Sequence, residues 1–125
     1  MSAPGKHLLV VEDDRDIRES VIEVLEDEGY VVSSASDGQQ ALALLRGGAT
    51  RPHLILLDLM MPVMNGFQFR EEQRRDAALA DIPVVVITAD VNARAKAESL
   101  GAAGFIQKPV KIQPLLDVIE QHLRR

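Results

Sequence analysis

Short apolar runs recur along the chain, and an amphipathic stretch follows each of them. The first run, His7-Leu-Leu-Val-Val-Glu12, is continuous rather than alternating. Continuous apolar character over so few residues marks a strand buried on both faces. Residues 30–36, 53–59, 84–88 and 104–107 repeat the theme, and His53-Leu-Ile-Leu-Leu-Asp-Leu59 is its clearest instance. Between the runs, residues 14–28 place Ile17, Val21, Val24 and Leu25 at helical spacing, with Arg15, Arg18, Glu19, Glu23 and Glu26 on the other faces. That is an amphipathic helix, and Gly29 suits its C-terminal stop. Further helices are predicted over 37–45, 67–75, 90–100 and 112–123. Asp37 is placed to cap the second, and Gly47-Gly48 to end it. Pro62 and Asn65-Gly66 make 61–66 a turn-rich loop.

Strands joined by helices pair in parallel with right-handed crossovers. The expected fold is therefore an α/β, doubly wound sandwich with helices on both faces of one sheet. The 125 residues make one domain, with its packed core over about residues 7–123.

The chain has no cysteine, which excludes disulfides, thiol catalysis and cysteine metal sites. Fourteen basic residues against 19 acidic ones leave a net charge of −5, so there is no basic footprint for nucleic acid or anionic membrane. Tyr30, Phe67, Phe69 and Phe105 are too few aromatics for a base-stacking platform. No apolar run approaches the roughly 20 residues of a membrane span. The segment Met1 to Lys6 lacks a signal-like apolar core, so a cytoplasmic location is expected. No helix-turn-helix, basic tail or second catalytic domain follows Arg125, and the start at Met1 makes a standalone chain the expectation.

Open parallel sheets place their sites beyond the carboxyl ends of the strands. There the sequence sets Glu12-Asp13-Asp14, Asp58, Thr88 and Lys108-Pro109. Clustered carboxylates repel each other unless a positive charge joins them. Oxygen ligands of this type suit Mg²⁺, which takes one or two carboxylates plus a phosphate. Lys108 then suits a phosphoryl oxygen as a point charge, Thr88 can donate to another, and Asp58 is left as a nucleophile that would form an aspartyl phosphate. Taken singly, most of these residues have plainer explanations. Asp13 or Asp14 alone suits a helix N-cap, and for Asp14 that role is compatible with a metal contact through water. Thr88 suits a strand, and Lys108 a surface. Asp58, after a buried apolar run, has the poorest structural explanation. His7, His53 and His122 are far apart and read as surface or strand-edge residues. No GxSxG, Walker or GxGxxG motif occurs.

Four motifs together resemble the receiver domain of two-component response regulators. They are Val10-Val-Glu-Asp-Asp14, Leu56-Leu-Asp-Leu-Met-Met-Pro62 with Met64-Asn-Gly66, Ile87-Thr-Ala89 and Gly104-Phe-Ile-Gln-Lys-Pro109. The resemblance implies a flavodoxin-like (βα)5 fold with strand order 2-1-3-4-5. It implies that Asp58 is the phospho-acceptor, and that Mg²⁺ is held by Asp13, Asp58, the main-chain carbonyl of Met60 and, largely through water, Asp14. It makes Lys108 the phosphate-contacting lysine, with a cis bond to Pro109. Thr88 becomes the switch hydroxyl and Phe105 the switch aromatic. The implied donor is a sensor histidine kinase or histidine phosphotransfer domain, docking around Arg15, Arg18, Val21, Pro109 and Val110. The implied output is a changed surface over the fourth helix, last strand and last helix, read by a downstream protein. Catalysis would be limited to the domain's own phosphorylation and slow hydrolysis, which Met60 and Asp90 would tune.

One position departs from that pattern. Gln73 stands where the family carries a core aliphatic, so helix 67–75 either ends early or has a polar inner face. Three other functions fit less well. A phosphate-independent scaffold would be expected to have lost an acid or the lysine. A dehalogenase-type phosphatase wants a second acid where Met60 stands, and Glu12-Asp13-Asp14 would repel a flavin phosphate.

Overall fold

The computed structural model describes residues 5–48 and 51–123. Strands β1 (His7–Val11), β2 (Val31–Ala35), β3 (Leu54–Asp58), β4 (Val84–Thr88) and β5 (Gly104–Gln107) alternate with helices α1 (Arg15–Asp27), α2 (Gly38–Gly47), α3 (Gly66–Arg75), α4 (Ala93–Ser99) and α5 (Ile112–Leu123). The strands form one parallel sheet in the order β2-β1-β3-β4-β5, as expected.

Side chains alternate across the sheet with the strand period of two. Leu9, Val11, Ile55, Leu57, Val84 and Val86 face one apolar core with Leu42 of α2, Phe69 of α3 and Ala97 of α4. Leu8, Val10, Leu54, Leu56, Val85 and Ile87 face the other, with Val21 and Leu25 of α1 and Leu115 and Ile119 of α5. Burial on both faces is why β1, β3 and β4 are continuous apolar runs. β2 lies at the sheet edge, and only Ala35 of its five residues is buried.

Chain direction puts the site where β1 and β3 meet. From β1 the chain winds outward to β2, then crosses back to β3, and this reversal opens a cleft at the carboxyl ends. Val11 pairs with Leu57, so the residues that follow, Glu12 and Asp58, leave the sheet side by side.

Three local features differ from the sequence reading or resolve it. α4 begins at Ala93 rather than at residue 90. The Asp90 carboxylate accepts the Asn92 N–H at 2.7 Å, and this side-chain turn displaces the first helical turn. α3 keeps its full length, and its inner face is polar. Gln73 is wholly buried, donates to the Leu79 and Ile82 carbonyls at 3.0 Å each, and accepts from the Arg70 guanidinium at 2.8 Å. Gln73→Ala is expected to strand those partners and cost about 2 kcal/mol in urea unfolding. Finally, His7 is buried at the start of β1, with Nε2 2.7 Å from Ser33 Oγ, and is not a surface residue.

Burial, and then the neighbouring His53, hold the His7 imidazole below its ordinary value. The folded protein therefore takes up this proton less readily than the unfolded chain. The corresponding stability is complete above the unfolded value near 6.5 and is lost as pH falls from there through the depressed folded value. The melting temperature is expected to fall less between pH 7 and pH 5.5 in His7→Gln than in the wild type.

Candidate functional site

Each side chain reaches the cleft because a strand ends beneath it. Glu12 and Asp58 are 1% and 2% exposed, and Thr88 is 3% exposed. Asp58 is the last residue of β3 and pairs with Ile87, so Thr88 follows one step along the adjacent strand. Lys108 comes directly after β5 and reaches inward. Its Nζ lies 3.0 Å from Glu12 Oε1 and 3.4 Å from Asp58 Oδ1. The Lys108–Pro109 bond is cis.

Carboxylate oxygens of Glu12, Asp13 and Asp58 lie within 4.8 Å of one another, the one such acidic group among the described residues. Asp58 Oδ2 is buried with no hydrogen-bond partner there. Burial, then a hydrogen bond and charge from Glu12, push the Asp58 carboxyl up to about 7, against the opposing pull of Lys108. For Lys108, burial lowers the ammonium, but the Glu12 hydrogen bond and the Asp58 and Glu12 charges outweigh it and the net shift is upward. Two buried acids therefore share one lysine, with the exposed Asp13 carboxylate beside them. That arrangement stores electrostatic strain which a hard divalent cation would relieve.

The other expected site residues take distinct places. Asp13 is exposed at the mouth. Asp14 is the N-cap of α1, its carboxylate accepting the Ile17 N–H at 3.0 Å, and it lies outside the three-carboxylate group. The Met60 side chain is 74% exposed, and its N–H points at Asp58 Oδ1 from 3.4 Å. Thr88 Oγ1 accepts the Asp90 N–H at 3.1 Å, which leaves the hydroxyl proton free. Phe105 is half-buried, pairs with Val86 across the strands, and has the Arg94 guanidinium 5.4 Å from its ring centre.

Two contributors were missed in the sequence. In the sequence Glu12 is only one acid of three, yet it is the closest ion-pair partner of Lys108. The register Val11 with Leu57 is what brings it beside Asp58. Gly66 is the second: a Cβ there would stand 2.6 Å from the Asp58 carbonyl oxygen and 2.8 Å from Leu59 Cα. The bare backbone lets the loop return tightly under the acceptor, its N–H donating to Leu59 O at 3.0 Å.

Comparison with known proteins agrees with this fold. Residues 8–120 match the response regulator receiver domain. The response regulator MprA of Mycolicibacterium vanbaalenii is 37% identical over 120 residues, covering 94% of this chain and 50% of that protein. The chain thus spans about half the length of the curated relatives it matches. The chemotaxis response regulator CheY4 of Vibrio cholerae superposes with a TM-score of 0.85 at 31% identity, covering 94% of this chain and 98% of that one. The receiver domain of the Pseudomonas aeruginosa sensor histidine kinase PA1611, solved with a magnesium ion in its active-site cleft, gives 0.86 at 25% identity over 97% and 99%. A match that runs from within β1 to within α5 spans the whole sheet and the cleft at its carboxyl edge, and the chain belongs to the response regulator receiver domains of two-component systems.

Proposed function

We propose that Asp58 accepts a phosphoryl group from the phosphohistidine of a sensor histidine kinase or histidine phosphotransfer domain, in a Mg²⁺-dependent reaction. The observation that carries this reading is the buried Asp58 Oδ2 without a partner, facing two further carboxylates within 4.8 Å. An all-oxygen, strongly anionic donor set fits Mg²⁺. Asp13, Asp58 and the Met60 carbonyl would hold the ion directly, Asp14 through water, and Glu12 at its side. The ion would supply charge neutralisation for the incoming phosphoryl group.

A carboxylate oxygen of Asp58 attacks phosphorus. The O–P bond forms as the P–N bond of the phosphohistidine breaks, and its electron pair returns to the imidazole, which takes a proton from water. Lys108, now against Glu12 and Asp58, turns part of its charge to the phosphoryl oxygens. Thr88, already holding the Asp90 N–H, donates its free proton to another oxygen. Inward movement of Thr88 opens space on β4 beside Phe105, and the surface of α4, β5 and α5 changes for a downstream protein. The same site then hydrolyses its acyl phosphate slowly, so the chain is a signalling domain rather than a metabolic enzyme. An apolar groove between Ile17, Val21 and Val24 of α1 and Pro109 and Val110 supports donor docking there, with Arg15 exposed nearby. Among the described residues no helix is long and apolar enough to cross a membrane. A cytoplasmic setting belongs to this reading, where such donors present their phosphohistidine.

Incubation with a small phosphodonor and Mg²⁺ is expected to add one phosphoryl group by intact mass. Borohydride, which reduces an acyl phosphate to an alcohol, should then mark Asp58 alone. A mark at another residue, or uptake that ignores chelation of Mg²⁺, would overturn the proposal.

A further inference from the structure

We infer that Arg70 anchors the C-terminal end of α4, so that this helix answers events at Asp58 by pivoting about residues 100–101 rather than by shifting as a unit. The inference rests on the switch reading above and adds the residue that sets how the switch moves.

The anchor is built from the polar inner face of α3. Arg70 is 7% exposed, and its Nε and Nη2 donate at 2.9 Å each to the carbonyls of Leu100 and Gly101, just beyond α4. Its Nη1 is held by Gln73, which is itself fixed by the Leu79 and Ile82 carbonyls. Hydrogen bonds therefore run without a gap from the segment before β4, through α3, to the end of α4. A guanidinium forked across two terminal carbonyls also meets the negative end of the helix dipole. Arg74 adds a longer contact to Leu100 O at 3.4 Å.

The opposite end of α4 is held differently. Asn92 makes no side-chain cap. The first turn hangs on Asp90, whose N–H donates to Thr88 Oγ1 at 3.1 Å and whose carboxylate accepts from Asn92 and pairs with Lys96 at 3.6 Å. Along the helix only Ala93 and Ala97 are buried, and such small side chains hold little by packing. One end is thus tied to the body of α3, and the other to Asp90, which bonds the hydroxyl that answers the phosphoryl group and the Gln107 side chain of β5 at 3.2 Å. Displacing Thr88 tilts the near end while Arg70 keeps the far end in place.

The test is backbone-amide NMR and hydrogen exchange, with beryllofluoride and Mg²⁺ as the phosphoryl mimic, on wild type, Arg70→Met and Arg70→Lys. The Leu100, Gly101 and Ala102 amides all donate to carbonyls of α4 and report on its far end. In Arg70→Met their exchange is expected to rise about tenfold while β1 and β3 amides keep their rates, and Arg70→Lys, which keeps the charge without the fork, to fall between. With beryllofluoride, wild-type amides of residues 90–95 shift and those of 100–102 stay, whereas in Arg70→Met the shifts reach residue 102. Equal shifts at both ends of wild-type α4 overturn the pivot alone. So does acceleration spread over the whole sheet, or none at residues 100–102. Absence of any shift around Asp58 in the wild type would overturn the phosphoryl-switch reading and the pivot with it.

Discussion

Asp58→Asn is expected to abolish phosphoryl uptake and, at the same time, to make the metal-free protein more stable. The first effect follows from chemistry: a neutral amide is no nucleophile toward phosphorus. The second follows from the cleft. Burial and Glu12 push the Asp58 carboxyl up to about 7, so the folded protein binds this proton more tightly than the unfolded chain, whose value is 3.8. Ionised Asp58 therefore costs stability. The cost is absent below about 3.8, grows as pH rises, and is complete above about 7. At about 1.4 kcal/mol per unit the ceiling is about 4 kcal/mol, and sharing of charge with Glu12 and Lys108 brings the expected gain to about 2 kcal/mol. Urea unfolding should show Asp58→Asn ahead by that amount at pH 8 and level with wild type at pH 4. A variant no more stable at pH 8 would remove the case for an electrostatically strained acceptor. Because metal and proton compete for the same oxygens, Mg²⁺ should also bind wild type more tightly at pH 8 than at pH 6.

Lys108→Met attacks the same balance from the other side. The ammonium is within 3.4 Å of both buried carboxylates. Breaking a buried pair by removing one partner leaves uncompensated charge, and a loss of about 3 kcal/mol is expected at pH 8. Without Lys108 the Asp58 carboxyl rises further still, so the loss should shrink as pH falls toward about 7, Asp58 taking up its proton instead. Mg²⁺ should restore most of it, since the cation now meets the carboxylates without a competing ammonium. Phosphoryl uptake should still fall about a hundredfold at saturating Mg²⁺, because one positive contact to the phosphoryl oxygens is gone. Stability that does not respond to Mg²⁺, or uptake that survives intact, would show that Lys108 does not belong to the acidic cluster's charge balance.

These opposite signs would not have been expected from the sequence. Asp58 and Thr88 stand out there because each ends a buried apolar run, and Lys108 because it directly follows the last strand, positions set by local pattern. Glu12 was harder to place. In Glu12-Asp13-Asp14 all three acids follow the same strand, and the spacing does not say which one turns inward. Pairing decides that: with Val11 beside Leu57, the next residue on each strand enters the cleft, so Glu12 meets Asp58. Asp14 then falls at the start of α1 and caps it. Gln73 was visible as an oddity, but its meaning lay in carbonyls six and nine residues further along and in an arginine one turn before it.

The amino-acid sequence by itself determined the alternation of strand and helix, the burial of the three inner strands and the chemistry available at their ends. Those follow from periodicity and hydrophobicity, which act over a few neighbouring residues. Only the tertiary structure decided which acid pairs with Lys108, and that a buried Arg70–Gln73 pair is satisfied rather than misplaced. Each of these depends on backbone groups brought together by strand register and helix packing, and a hydrogen bond or ion pair acts on distance in space, not on separation along the chain.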